Sequence, residues 1–176
     1  MSGHNKWTQI KRKKEKTDSQ KSKIFGKFAR LISQEVKKAG GNINSPTVKA
    51  TVDRARSFNM PNDNIERALK KGGMEGGAEL ESVIYEAYGP GGVAMLIEAL
   101  TDNKNRASQE IKTILSRHDL SLASPGSAAW AFQKESGVWK PTSVIPLSEE
   151  DAEKLSNLSD DLENSDEVQE IFTNAE

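Results

Sequence analysis

Apolar residues recur at spacings of three and four between about Ser19 and Ala39, where Ile24, Phe28, Leu31, Ile32 and Val36 fall on one stripe. That period predicts an amphipathic helix. Gly40 and Gly41 stop it, because glycine accepts the left-handed cap conformation. A second helix is expected to open at Ser45-Pro46, a capping residue followed by proline at the first helical position. Val48, Val52, Ala55 and Phe58 supply its buried face. A third follows Met60-Pro61, with Asn62 or Asp63 as cap and Ile65, Ala68 and Leu69 inward, and ends at Gly72-Gly73. Three short amphipathic helices with short connections predict a small bundle. Ahead of them, residues 1–18 show no apolar period and read as a mobile arm.

Beyond the glycine-rich stretch 72–77, read as an interdomain linker, the period changes. Val83, Tyr85 and Ala87 alternate with Ile84, Glu86 and Tyr88, and Gly89-Pro90-Gly91-Gly92 is a turn. Val93 to Leu100 is almost continuously apolar, as in a strand buried on both faces. A helix follows the capping signal Thr101-Asp102-Asn103, with Ala107, Ile111, Ile114 and Leu115 inward. Ser127 to Gln133 alternates again, placing Ala128, Trp130 and Phe132 on one face. Ser143 to Leu147 reads as a short strand. Ser148 caps a helix with Asp151 three residues on, and Val168 to Thr173 is a last strand. From Val93 the order is β-α-β-β-α-β, the ferredoxin-like arrangement. The fold class expected is therefore α+β. Residues 1–75 form a basic arm and a three-helix domain. Residues 76–176 form a ferredoxin-like antiparallel α/β sandwich, with two helices on one face and residues 81–88 as an extra N-terminal edge strand.

Charge changes this picture more than composition does. The formal net charge is only −1. Residues 1–71, however, carry 18 Lys and Arg against 6 acidic residues, and residues 72–176 carry 7 against 20. A split of this kind points to a polyanion partner for the basic half. Lys and Arg neutralise phosphates and release counterions, and an exposed Trp7 is placed to stack on a base. The nucleic-acid-binding set read from this half is His4, Lys6, Trp7, Lys11, Arg12, Lys13, Lys14, Lys16, Lys21, Lys23, Lys27, Arg30, Arg54, Arg67 and Lys70. The absence of cysteine removes disulfides and thiolate metal sites. No apolar run reaches the roughly 18–20 residues of a membrane span, and no secretory signal opens the chain. A cytoplasmic protein without a membrane partner is the expectation.

The residues argue against catalysis. The histidines are His4, in the arm, and His118, at a helix end where it suits the C-terminal dipole. No zinc or EF-hand spacing occurs. Glu149, Glu150, Asp151 and Glu153 open a helix, where acidic residues favour the dipole. No Lys-Ser/Thr follows Gly72–Gly77, so it is not a phosphate loop. No cofactor, metal or small-molecule substrate is expected. Tyr88-Gly89-Pro90-Gly91-Gly92 holds more glycine than a hairpin turn requires. Either its backbone takes an unusual path, or its bare amides approach a partner.

Several segments in order resemble one family. These are Met1-Ser2-Gly3-His4-Asn5-Lys6-Trp7, Lys23-Ile24-Phe25, Met60-Pro61-Asn62-Asp63-Asn64-Ile65-Glu66-Arg67-Ala68 and Tyr85 to Val93, with Thr101-Asp102-Asn103-Lys104-Asn105-Arg106, Gly126-Ser127, and Asp151-Ala152-Glu153-Lys154-Leu155 through Gln169. Together they resemble the YebC family. The resemblance implies a DNA-binding transcriptional regulator. The alternative it implies is a translation factor associated with RNA or the ribosome, because mitochondrial relatives resemble translational activators of a cytochrome oxidase subunit and bacterial ones are connected with relief of stalling. Members are typically longer and have three domains. Here Phe132–Val138 passes almost directly to Pro141, Val144 and Ile145, so the usual third domain is expected to be missing near 138–141. Ala87 and Ala107 stand where the family more often has Gly and Thr. The resemblance starts at Met1, so no transit peptide is expected.

Overall fold

The structure, a computed structural model, describes residues 16–176. They form two compact units, Lys16–Leu80 and Glu81–Glu176.

In the first unit, α1 (Asp18–Lys38) opens on a reciprocal cap that the apolar period does not reveal. Thr17 Oγ1 accepts from Gln20 N–H, and Gln20 Oε1 accepts from Thr17 N–H. The helix ends as expected: Gly40 has φ +63 and Gly41 N–H donates to the Val36 carbonyl at 2.9 Å. α2 (Pro46–Ser57) is capped by Ser45, whose Oγ accepts from Val48 N–H at 3.3 Å. α3 (Asn62–Gly73) has Pro61 at its N-cap and no side-chain cap there, so neither Asn62 nor Asp63 fills that role. Phe28, Ile32 and Val36 of α1 pack on Val48, Val52 and Ala55 of α2 and on Ile65 and Ala68 of α3. Phe58, expected inside, is 48% exposed. Its ring lies 5.3 Å from that of Phe28, with Lys16 Nζ 5.8 Å above it.

In the second unit, β1 (Glu81–Tyr88) and β2 (Ala94–Thr101) form a hairpin in the register Glu81↔Thr101 to Tyr88↔Ala94. Beyond it run α4 (Lys104–Arg117), the two-residue β3 (Leu122–Ala123), β4 (Phe132–Glu135), β5 (Val138–Pro141), α5 (Glu149–Glu163) and β6 (Val168–Thr173). The main sheet has the order β3-β1-β2-β6, antiparallel throughout. One face carries Ala87, Met95, Ile97 and Ala99 against Ala107, Ile111 and Leu115 of α4 and Leu155, Leu158 and Leu162 of α5. The α+β class and the pair of helices on one face are as expected. The opposite face, with Ala94 and Leu96, is covered by Ala128, Ala131 and Phe132, and Trp139 packs there too.

The strand arrangement departs from the simple β-α-β-β-α-β reading in three places. β1 is interior, between β2 and β3, and is not an extra edge. Residues 127–133 do not join the main sheet. Ala129–Ala131 make a 3₁₀ turn, and β4 pairs only with β5. The reason is non-local: the buried Glu86 carboxylate accepts N–H bonds from Gly126 (2.6 Å), Ala128 (2.7 Å) and Ala129 (2.9 Å). These amides therefore need no neighbouring strand. Trp130, expected on one face with Ala128 and Phe132, is consequently on the turn and 63% exposed, while those two are buried. Residues 143–147 make only a single parallel bridge, Ile145↔Ala175. There the tail is held on both sides. Asn174 Oδ1 accepts from Ala94 N–H at 2.7 Å, while Asn174 O accepts from Ile145 N–H and Glu176 N–H donates to Ile145 O, both at 2.8 Å.

Candidate nucleic-acid interface

A cleft of about 920 Å³ runs along the helical unit, between α1, α3 and the segment 76–80. Three features of the sequence build it. A stripe of α1 at the edge of the core recurs every four residues through Lys21, Phe25, Ala29, Ser33 and Lys37. α3 lies close beside it: a Cβ on Gly72 would stand 2.6 Å from the Ser33 carbonyl oxygen and from Val36 Cβ. Ser33 Oγ also donates to Ala68 O at 2.9 Å. The segment after α3 then folds back on α1, where Lys37 Nζ donates to Gly76 O and Gln34 Nε2 to Leu80 O, each at 2.8 Å.

The walls are cationic. Lys21, Arg30 and Lys37 come from α1, Arg67 and Lys71 from α3, and Asp18 is the acidic residue among the lining. Phe25, Ala29, Met60 and Ala68 give it an apolar floor. Arg67 is oriented by its own helix, with Nε donating to Asp63 O and the guanidinium to Asn64 Oδ1. Positive side chains converging on a concave surface concentrate anions there.

Of the set read from sequence, the structure brings Lys21, Arg30 and Arg67 to this cleft. Lys23, Arg54 and Lys70 are not in its lining, and Lys16 lies over Phe58. Lys27 departs from the expected surface position: it is buried, at 9% exposure. A lysine does this by packing its methylene stem along apolar neighbours. His4, Lys6, Trp7, Lys11, Arg12, Lys13 and Lys14 lie outside the described residues. Lys37 and Lys71, which sequence reasoning missed, complete the walls. The signal was their place in the last turns of the first and third helices, which pairs them only once α1 and α3 pack.

In the glycine-proline loop of the other unit, packing accounts for Gly89 and Gly91, while Gly92 has φ +78 and open space beside it. Gly91 has φ +70, and a Cβ there would meet Leu147 at 2.5 Å. A Cβ on Gly89 would lie 2.7 Å from Met95 Sδ. Pro90–Gly92 form a 3₁₀ turn, closed by Gly89 N–H donating to Val93 O at 2.8 Å. Tyr88 leaves the loop to donate its hydroxyl to Ser127 O, and Trp130 Nε1 donates to that hydroxyl at 3.2 Å. His118 finds a side-chain partner as well as the helix end, its Nε2 lying 2.7 Å from Asp161 Oδ2. Among the described residues no cluster of His, Asp or Glu is arranged to hold a metal ion, and no helix is long and apolar enough to cross a membrane.

The model of the TACO1/YebC N-terminal domain matches residues 5–75, and that of the TACO1/YebC second and third domain matches residues 80–138. The chain belongs to the TACO1/YebC family. A probable transcriptional regulatory protein of Thermoanaerobacter pseudethanolicus is 37% identical, over all of this chain and 97% of the relative. One from Thermotoga petrophila is 42% identical, over all of this chain and 71% of the relative. The first of these alignments runs over 239 positions against 176 residues here, so 63 of its positions hold no residue of this chain. Among solved structures, the conserved hypothetical protein Aq1575 of Aquifex aeolicus matches with a TM-score of 0.77 and 30% identity, covering 97% of this chain and 96% of that one. The family and its regulatory relatives place this chain among regulators of the YebC type.

Proposed function

We propose that this YebC-type regulator is a non-enzymatic, cytoplasmic DNA-binding protein that grips phosphates through its helical domain and basic arm. The observation that carries the reading is the convergence of Lys21, Arg30, Lys37, Arg67 and Lys71 on one cleft. The relatives' names support regulation of transcription. In this reading Lys11, Arg12, Lys13 and Lys14 of the arm add phosphate contacts and Trp7 stacks on a base. We further infer that the usual third domain is absent between Val138 and Pro141. What supports this is that β5 runs unbroken from Val138 to Pro141, and that β4 joins it directly through Ser136 (φ +50) and Gly137 (φ +82), a two-residue turn of the kind that favours positive φ.

Binding of the full chain to duplex DNA, measured at several salt concentrations, tests the reading. With six or more phosphates engaged, affinity falls about 10³-fold or more between roughly 50 and 200 mM salt. Replacing Lys11, Arg12, Lys13 and Lys14 by alanine lowers affinity across sequences and flattens that slope. Undiminished binding by this variant would remove the arm from the interface. Crosslinking from cells then separates the levels of regulation: promoter DNA among the bound sequences supports transcription, whereas ribosomal RNA moves the function to translation.

A further inference from the structure

Three glycines lie within helices of the helical unit: Gly73 is the last residue of α3, and of the two inside their helices only one is explained by packing. Gly72 is buried where α1 and α3 meet too closely for a side chain. Gly26 sits in the middle of the 21-residue α1, and a Cβ there would meet nothing within 4 Å. Its φ is not positive, so alanine fits the backbone and would make the better helix. The fold thus has no use for the glycine, which lines the cleft beside Phe25. A bare stretch of backbone next to an aromatic side chain, under cationic walls, suits a flat group attached to an anion. A duplex offers phosphates on a convex rod with its bases stacked inside, and leaves an apolar floor unused. An unpaired nucleotide supplies both halves, and base–aromatic stacking tolerates any base. The cleft volume lies within the usual range for sites that enclose small ligands.

We propose that this cleft takes an unpaired nucleotide of a single strand, its base against Gly26 and Phe25 and its phosphates on Lys21, Arg67 and Lys71. The proposal rests on the nucleic-acid reading above, and assigns the strand form that the cleft recognises. DNA opened at a regulated site and looped RNA both present this chemistry.

The test uses the full chain, labelled oligo(dT), oligo(U) and a mixed-sequence duplex of equal length, with anisotropy and thermal melting as readouts. Gly26→Ala is expected to raise the melting temperature, yet weaken single-strand binding by at least about fivefold, with duplex affinity unchanged. Phe25→Leu, which keeps an apolar contact, is expected to lose a similar factor. Loss on oligo(dT) alone assigns DNA, loss on oligo(U) alone assigns RNA, and loss on both assigns the shared chemistry. Overturning results are a Gly26→Ala protein that melts higher and binds every strand as the parent does, or a parent that binds duplex as tightly as single strands. A parent that binds none of the three probes defeats the nucleic-acid reading itself.

Discussion

The two units spend the same residue types on opposite ends. In the α/β unit Gly89 and Gly91 stand too close to Met95 and Leu147 for a side chain, Gly92 has φ +78, and Glu86 and Tyr88 satisfy backbone groups. In the helical unit Gly26 answers to no internal demand, and five cations ring a cleft from two helices. A polar or glycine-rich motif points to function only after its own unit has been asked to account for it. By that standard the fold accounts for Gly89 and Gly91 of the loop that looked unusual in sequence, whereas Gly26 is left for the proposed site to explain.

The comparison is broken most easily by charge. Reversing Lys21 and Lys71 to glutamate together should lower nucleic-acid affinity about 10²-fold near 50 mM salt and reduce the salt slope by roughly two. Lys112→Glu, in the acidic unit, should leave both unchanged. Equal effects from the two reversals, in titrations across salt, would show that only net charge matters. Next in size is the buried carboxylate. Burial raises the Glu86 pKa, but the N–H groups of Gly126, Ala128 and Ala129 outweigh it and hold the group below its ordinary 4.5. Its contribution to stability is therefore present above that value and is lost as pH falls through the lower, folded one. Glu86→Gln should destabilise the α/β unit by about 1–3 kcal/mol at neutral pH and flatten the acid limb of its melting curve. An unchanged acid limb would show that Glu86 has no such role.

Gly72→Ala should destabilise the helical unit by about 1–3 kcal/mol through overpacking against Ser33 and Val36. That is opposite in sign to Gly26→Ala, and denaturant melts of the two variants side by side check it. The smallest effect belongs to Trp130→Ala. Mostly exposed, and tied by one bond to Tyr88, it should shift stability by no more than about 0.5 kcal/mol. A larger loss would mean that the aromatic pair holds the turn.

What could be read in advance follows from the range of the interactions involved. Ser45-Pro46 and Ser148 announce helix starts because a cap reaches only three residues, and the apolar stripes of α1 and α4 repeat within one turn. Thr17 escaped because its partner Gln20 is polar and adds nothing to the apolar period. The strand expected at 127–133 failed on a contact 42 residues away, since no local pattern shows that Glu86 will occupy those amides. The same limit hid half of the cleft. Lys21 and Arg30 stand out in a basic stretch, but their meeting with Lys71 depends on where Gly72 lets the helices cross.

The clasp around Asn174 also ties together segments that lie far apart along the chain. Residues 174 and 175 are buried, and their backbone is bonded both to β2 and to the strand-like residue Ile145. Segment 143–147 can therefore leave the sheet only by breaking its bonds to residues 174–176, so amide exchange at Ile145 and at Ala94 should proceed in step. Without the Asn174 side chain, the amide of Ala94 at the head of β2 loses its buried acceptor. One side chain thus couples the opening of a sheet strand to that of a segment outside it.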